Sequence, residues 1–204
     1  MNATLRALTL ATTGAATCLV AAAPADAQDL HSSRRLSPAG IARAHLGDAG
    51  TTYVSVIYGR PYERGRDNIF GTEESGALVP FDKRWRTGAN EATEITLTGD
   101  VTAAGQPLPA GTYSLTTIPG PDTWTVHFNS TLGLNGTARR NPESGRFERV
   151  ELDPTDVLVL SASVGTLDEK VDQFTIGFEP AEGGADMCLR WITTEVCVPL
   201  RVGG

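Results

Sequence analysis

The 204-residue chain is short of most residue types that advertise chemistry, with only three Cys, three His and two Met. So few sulfur and imidazole ligands exclude a multi-zinc module and a disulfide-dense scaffold. No metal or cofactor is expected. Basic residues are also scarce: 17 Lys plus Arg stand against 24 Asp plus Glu, a net charge of −7. Nucleic acid and anionic lipid both need a basic face, so neither is expected as the main partner. There is no G-x-S-x-G elbow, zincin helix, phosphate loop or dinucleotide fingerprint. Of the histidines, His31 and His45 lie near the N-terminus; His127 falls opposite Trp124, Val126 and Phe128 on a period-2 strand, either exposed or in a polar layer. Beyond the N-terminal region no apolar run approaches bilayer length.

The N-terminal 27 residues read as a signal peptide. Arg6 supplies a positive start, residues 7–23 are small and apolar, and Pro24 precedes Ala25-Asp26-Ala27. This is an A-x-A cleavage signature, with the cut between Ala27 and Gln28. Cys18 leaves with the leader, and no membrane-spanning segment remains after its removal. The product is expected outside the cytoplasm, in the periplasm or the medium. Residues 28–50 read as an N-terminal arm: a helix starting at Ser37-Pro38 and ending near Gly47, or equally an extended arm or edge strand. Residues 51–204 read as one domain.

Within that domain β-branched and aromatic runs dominate, separated by Gly, Pro and Asp turns. Strands are expected over 51–58, 92–98, 111–118, 123–129, 147–152, 156–164 and 171–178, with a closing hairpin near the C-terminus. No stretch of helix length shows a 3.6-residue period. The fold class is therefore all-β: an antiparallel β-sandwich of about nine short strands with one long structured loop excursion. A turn near Ile192-Thr193 would bring Cys188 and Cys197 face to face. They would then form a disulfide, which export permits, whereas on one straight strand they would stand roughly 30 Å apart. The alternative is a pair of buried free thiols.

The excursion over 59–90 concentrates Arg60, Arg64, Arg66, Arg84 and Arg86 among Glu63, Asp67, Asp82 and, just beyond, Glu91 and Glu94. Arginine forks pair bidentately with carboxylates, so one role is to lock irregular backbone in place. That role accounts for every residue type present. The other role builds a pocket for an anionic or sugar-like ligand from Arg60, Arg66, Arg86, Asn90 and Glu91, with Trp85 or Tyr58 as a stacking face.

The runs Tyr58-Gly59-Arg60-Pro61, Leu78-Val79-Pro80 and Trp85-Arg86-Thr87-Gly88-Ala89-Asn90-Glu91-Ala92-Thr93 resemble the bacterial secreted family called domain of unknown function 2911. The likeness continues through Leu108 to Leu115, Ile118-Pro119-Gly120, Trp124-Thr125-Val126, Phe174-Thr175-Ile176 and Leu189-Arg190-Trp191, covering about residues 37–202. It implies an exported, β-rich protein and brings no catalytic residue with it; the Cys188/Cys197 pair departs from it. The expected function is a non-catalytic binding or structural module of the cell envelope, with a small molecule or an envelope component as partner. The competing reading is a glycoside or ester hydrolase built on Arg60, Arg86, Asn90 and Glu91.

Overall fold

The computed structural model describes residues 37–47 and 49–203; the leader, its cleavage site and His31 lie outside them. The chain is all-β. Strands β1 (Ala39–Leu46), β2 (Thr52–Gly59), β3 (Phe70–Gly71), β4 (Val79–Pro80), β5 (Thr93–Leu97), β6 (Val101–Ala103) and β7 (Gln106–Leu108) come first. They are followed by β8 (Gly111–Ile118), β9 (Thr123–Asn129), β10 (Ala138–Arg140), β11 (Phe147–Arg149), β12 (Asp156–Ala181) and β13 (Gly184–Val202). Nine of them join in the order β1-β2-β5-β8-β9-β12-β13-β6-β7, every neighbour antiparallel. The result is a sandwich.

Two long strands turn one sheet into two walls. The first part of β12 pairs with β9, from Asp156↔Asn129 to Ser163↔Thr123. The rest pairs with β13, from Val164↔Val196 to Ala181↔Gly184, with register shifts on either side of Val171. The extra residues fall on β12, so it takes the outside of a bend. On the inside, β13 folds back at Ile192, whose φ of 52° is rare for a β-branched residue. The fold brings the Cα atoms of Cys188 and Cys197 to 4.1 Å, and a disulfide joins them. The turn thus lies where the sequence places it, but its arms form no ladder of their own. Each instead pairs with β12, and only the bend spares these cysteines the separation of a straight strand.

Other elements differ from expectation. The segments 156–164 and 171–178 are one 26-residue strand, because the charged stretch between them continues as a bulged ladder instead of a loop. The 147–152 strand shrinks to β11, which pairs only with β10, away from the main sheet. Residues 39–46 take the edge-strand alternative and not the helix. They form the edge strand β1, in full register with β2 from Ala39↔Gly59 to Leu46↔Thr52. Strands β6 and β7, three residues each, were not anticipated.

The period-2 alternation of β2, β5, β9 and β13 buries Val54, Val56, Ile95, Leu97, Val126, Phe128, Val196 and Val198 in a single core. All three tryptophans of this aromatic-poor chain belong to one cluster. Trp85 packs on Phe70, Trp124, Phe174 and Trp191, at centroid distances between 5.1 and 6.2 Å. Each ring pair of this kind contributes about 0.5–1.5 kcal/mol beyond its area.

The long excursion is stitched to both walls. Glu63 N–H donates to Asp172 O (2.8 Å) and Phe174 N–H to Pro61 O (2.9 Å). On the other side Trp85 and Thr117 exchange both backbone bonds, at 2.7 and 3.0 Å. Between these ties β3 and β4 pair in parallel.

Candidate functional site

The motif from Trp85 to Ala92 makes a tight, strained turn. Thr87 (φ 54°), Gly88 (φ 158°) and Asn90 (φ 63°) all leave the ordinary L-residue regions within four positions. Thr87 is fully buried and β-branched, and its hydroxyl donates to Thr117 Oγ1 at 3.1 Å. Left-handed backbone at such a residue persists only where its surroundings over-determine it. Those surroundings are visible here. Thr93 Oγ1 donates to Thr87 O (2.7 Å), and Trp85 Nε1 donates to Gly88 O (3.1 Å). The Arg86 guanidinium closes the turn by donating through Nη1 to Asn90 O and, at 2.9 Å, to Asn135 Oδ1. Arg86 is half-buried, and desolvation pulls its pKa below the ordinary arginine value, partly offset by the charge of Glu91.

A cleft of about 580 Å³ opens over this turn. Trp85, Trp191, Leu78, Val79 and Pro61 supply its apolar wall. Arg64, Arg66, Arg86, Asn90 and Asn135 supply its polar groups. The two indoles lie nearly parallel, 16° apart. No Asp or Glu is among the described residues lining this cleft. A second cleft of about 550 Å³ adjoins it and shares Asn90 and Asn135. Its lining includes Ile57, Tyr58, Glu91, Glu94, Arg140 and Phe147.

The residues singled out from sequence therefore divide. Arg66, Trp85, Arg86 and Asn90 meet at the first cleft, where Arg66 Nη2 donates to Tyr62 O at 2.7 Å. Glu91 lines the second. Tyr58 reaches across to β12: its hydroxyl donates to Ile176 O (3.2 Å) and accepts from Ile176 N–H (2.9 Å). Arg60 does the same through Phe174 O (3.3 Å) and Thr175 Oγ1 (2.9 Å). Trp191 and Asn135 were not foreseen at a site. Their approach to Trp85 and Arg86 is long-range, and the only sequence signal was a tryptophan inside a closing strand.

A separate polar node sits against β8 and β9, away from both clefts. Arg84 donates to Asp153 Oδ1 and Asp156 Oδ1, both at 2.6 Å, and to Thr116 Oγ1 at 2.9 Å. His127 Nδ1 lies 2.9 Å from Asp156 Oδ2, and Asn129 Nδ2 donates to Asp156 Oδ1 at 2.8 Å. His127 is buried in this polar layer, and its Nε2 has no hydrogen-bond partner among the described residues. Burial alone would raise the Asp156 pKa. The hydrogen bonds from Arg84, Asn129 and His127 outweigh it and hold the carboxyl below its ordinary value.

A family model described as a protein of unknown function, DUF2911, matches residues 37–200, and the chain belongs to that family. No curated protein and no solved structure matches it.

Proposed function

We propose that this member of the family is an exported, non-catalytic binding module of the bacterial cell envelope, and that its arginine-lined cleft holds a small anionic molecule. One observation carries the reading. In a chain of net charge −7, this cleft gathers Arg64, Arg66 and Arg86 and no carboxylate among its described lining. Clefts of one sign with low-dielectric walls focus field and concentrate counter-charged ligands. The same lining offers no His, Cys, Asp or Glu to act as general acid, base or activated thiol. Titration with acetate, benzoate and inorganic phosphate tests it. At least one should bind, more weakly as salt rises, and Arg66→Gln should weaken binding without lowering the melting temperature. No response to any anion overturns the reading. Export rests on the leader, and intact mass of the secreted chain should begin at Gln28.

The hydrolase reading keeps one specific support: Glu91 and Glu94 both line the neighbouring cleft beside Asn90. Paired carboxylates are what glycoside cleavage requires. A panel of chromogenic glycosides and esters separates the two readings, since turnover abolished by Glu91→Gln would favour the enzyme.

A further inference from the structure

The first cleft is far larger than a bare inorganic ion needs. At about 580 Å³ it falls within the roughly 300–1,000 Å³ range of sites for organic small molecules. Its polar and apolar groups are segregated, and the hydrogen-bond inventory says what each side can recognise. Both indole N–H groups are already spent, Trp85 on Gly88 O at 3.1 Å and Trp191 on Asp172 O at 3.2 Å. Trp191 is buried behind Trp85, so what the cleft is offered is the ring carbon and π-face of the partly exposed Trp85. Leu78, 46% exposed, continues that surface.

The polar side is rich in donors. The three guanidinium groups have no acceptor atom at all. The backbone carbonyl of Asn90 and Asn135 Oδ1 already accept from Arg86, and the Asn90 side-chain amide donates to Ser37 O at 2.9 Å; Ser37 and Tyr62 complete the polar lining. A neutral sugar or alcohol brings no charge to offset the guanidinium groups. A carboxylate brings acceptors only, and a fork geometry suits it. Arg86 is moreover fixed in place by its two Nη1 bonds and partly desolvated, with the charge of Glu91 offsetting only part of that, so an anion beside it would compensate the remainder.

We infer that the cleft recognises a carboxylate borne on a six-membered ring, the acid facing the arginines and the ring face lying on Trp85 beside Leu78. The inference rests on the anion-binding reading above and narrows it. Two sources supply this chemistry. An aromatic acid would stack on the Trp85 indole through its π-face, and a sugar acid through the C–H face of its ring. Trp85 and Arg86 then set specificity jointly, one for the ring and one for the charge.

Calorimetric titration of the full secreted chain with benzoate, glucuronate, acetate and methyl glucoside tests it. At least one ring-borne acid is expected to bind tenfold or more tightly than acetate, and methyl glucoside not to bind. Whichever acid wins identifies the source. If acetate matches both ring acids, or the neutral glycoside binds as tightly as they do, the inference fails while anion binding stands. Silence from all three acids overturns the inference, and silence from inorganic phosphate as well removes both. A second readout avoids mutating a core residue: the winning acid should quench or shift tryptophan emission of the native protein at a concentration where acetate does not. Trp85→Leu, where it folds, should erase the tenfold preference and leave acetate affinity unchanged. Retention of the preference in a folded Trp85→Leu protein also overturns the inference.

Discussion

Gly59 and Ala89 meet where no side chain fits: a Cβ on Gly59 would lie 1.9 Å from the Ala89 carbonyl oxygen. The end of β2 and the strained turn after Trp85 are thereby pressed together backbone to backbone. The clashing atom is main chain and cannot rotate away. Gly59→Ala should cost about 3 kcal/mol, the upper range for overpacking, read as a lowered denaturation midpoint with an unchanged slope.

Asn90 occupies left-handed backbone (φ 63°) and holds Ser37 through its amide. Both Asn90→Gly and Asn90→Ala lose that bond, but only alanine meets the Cβ penalty of roughly 1–2 kcal/mol. The alanine variant should therefore be the less stable of the two by about 1 kcal/mol in chemical denaturation. Equal stabilities would mean that the turn relaxes when the amide is gone.

Asp156 is the acceptor at the centre of the buried node, with Arg84 and His127 both bonded to it. Its side chain is 7% exposed and that of Arg84 11%. Asp156→Ala leaves the guanidinium only the exposed Asp153 and strands His127 and Asn129, and should cost about 3 kcal/mol. The folded pKa lies below the ordinary carboxylate value. Its contribution to stability is thus complete above about pH 4 and drains away as pH falls through the lowered folded value. Melting curves of the parent should show that loss in acid, and Asp156→Asn should flatten it.

The Cys188–Cys197 bond closes a loop across a sequence separation of 9 residues. The chain-entropy relation assigns so short a loop about 2–3 kcal/mol. Replacing both cysteines with alanine should lower unfolding free energy by that amount. Alkylation of the denatured, unreduced chain should find no free thiol at either position.

The strands that alternate cleanly were legible from the residues alone. T-Y-V-S-V-I-Y, G-T-Y-S-L-T-T-I and T-W-T-V-H-F-N carry period-2 apolar faces, and all three become strands of one wall. β1 was harder, because A-G-I-A-R-A-H-L also alternates but with Ala and Gly, residues of low β-propensity. The hinge over 165–170 misled for the opposite reason. Asp168, Glu169 and Lys170 look like a turn, yet a strand bent around the outside of a sandwich turns such side chains to solvent and keeps its ladder. At the site, local motif density pointed to Trp85, Arg86 and Asn90. Trp191 and Asn135 lie about a hundred and about fifty residues away in sequence, and no local pattern records that approach.

The pairing of Leu200–Val202 with Val101–Ala103 has a consequence for the order in which the molecule can assemble. A chain that emerges N-terminus first can begin its first wall early, through the neighbouring partners β2, β5, β8 and β9. The second wall pairs β12 with β13 and β6 with β7 as neighbours, but the two pairs meet only at long range. Strands β6 and β7 must wait about a hundred residues for the partner that joins them to the sheet. This wall therefore completes only after β13 has emerged, and until then the inner face of β6 is held open to whatever meets it.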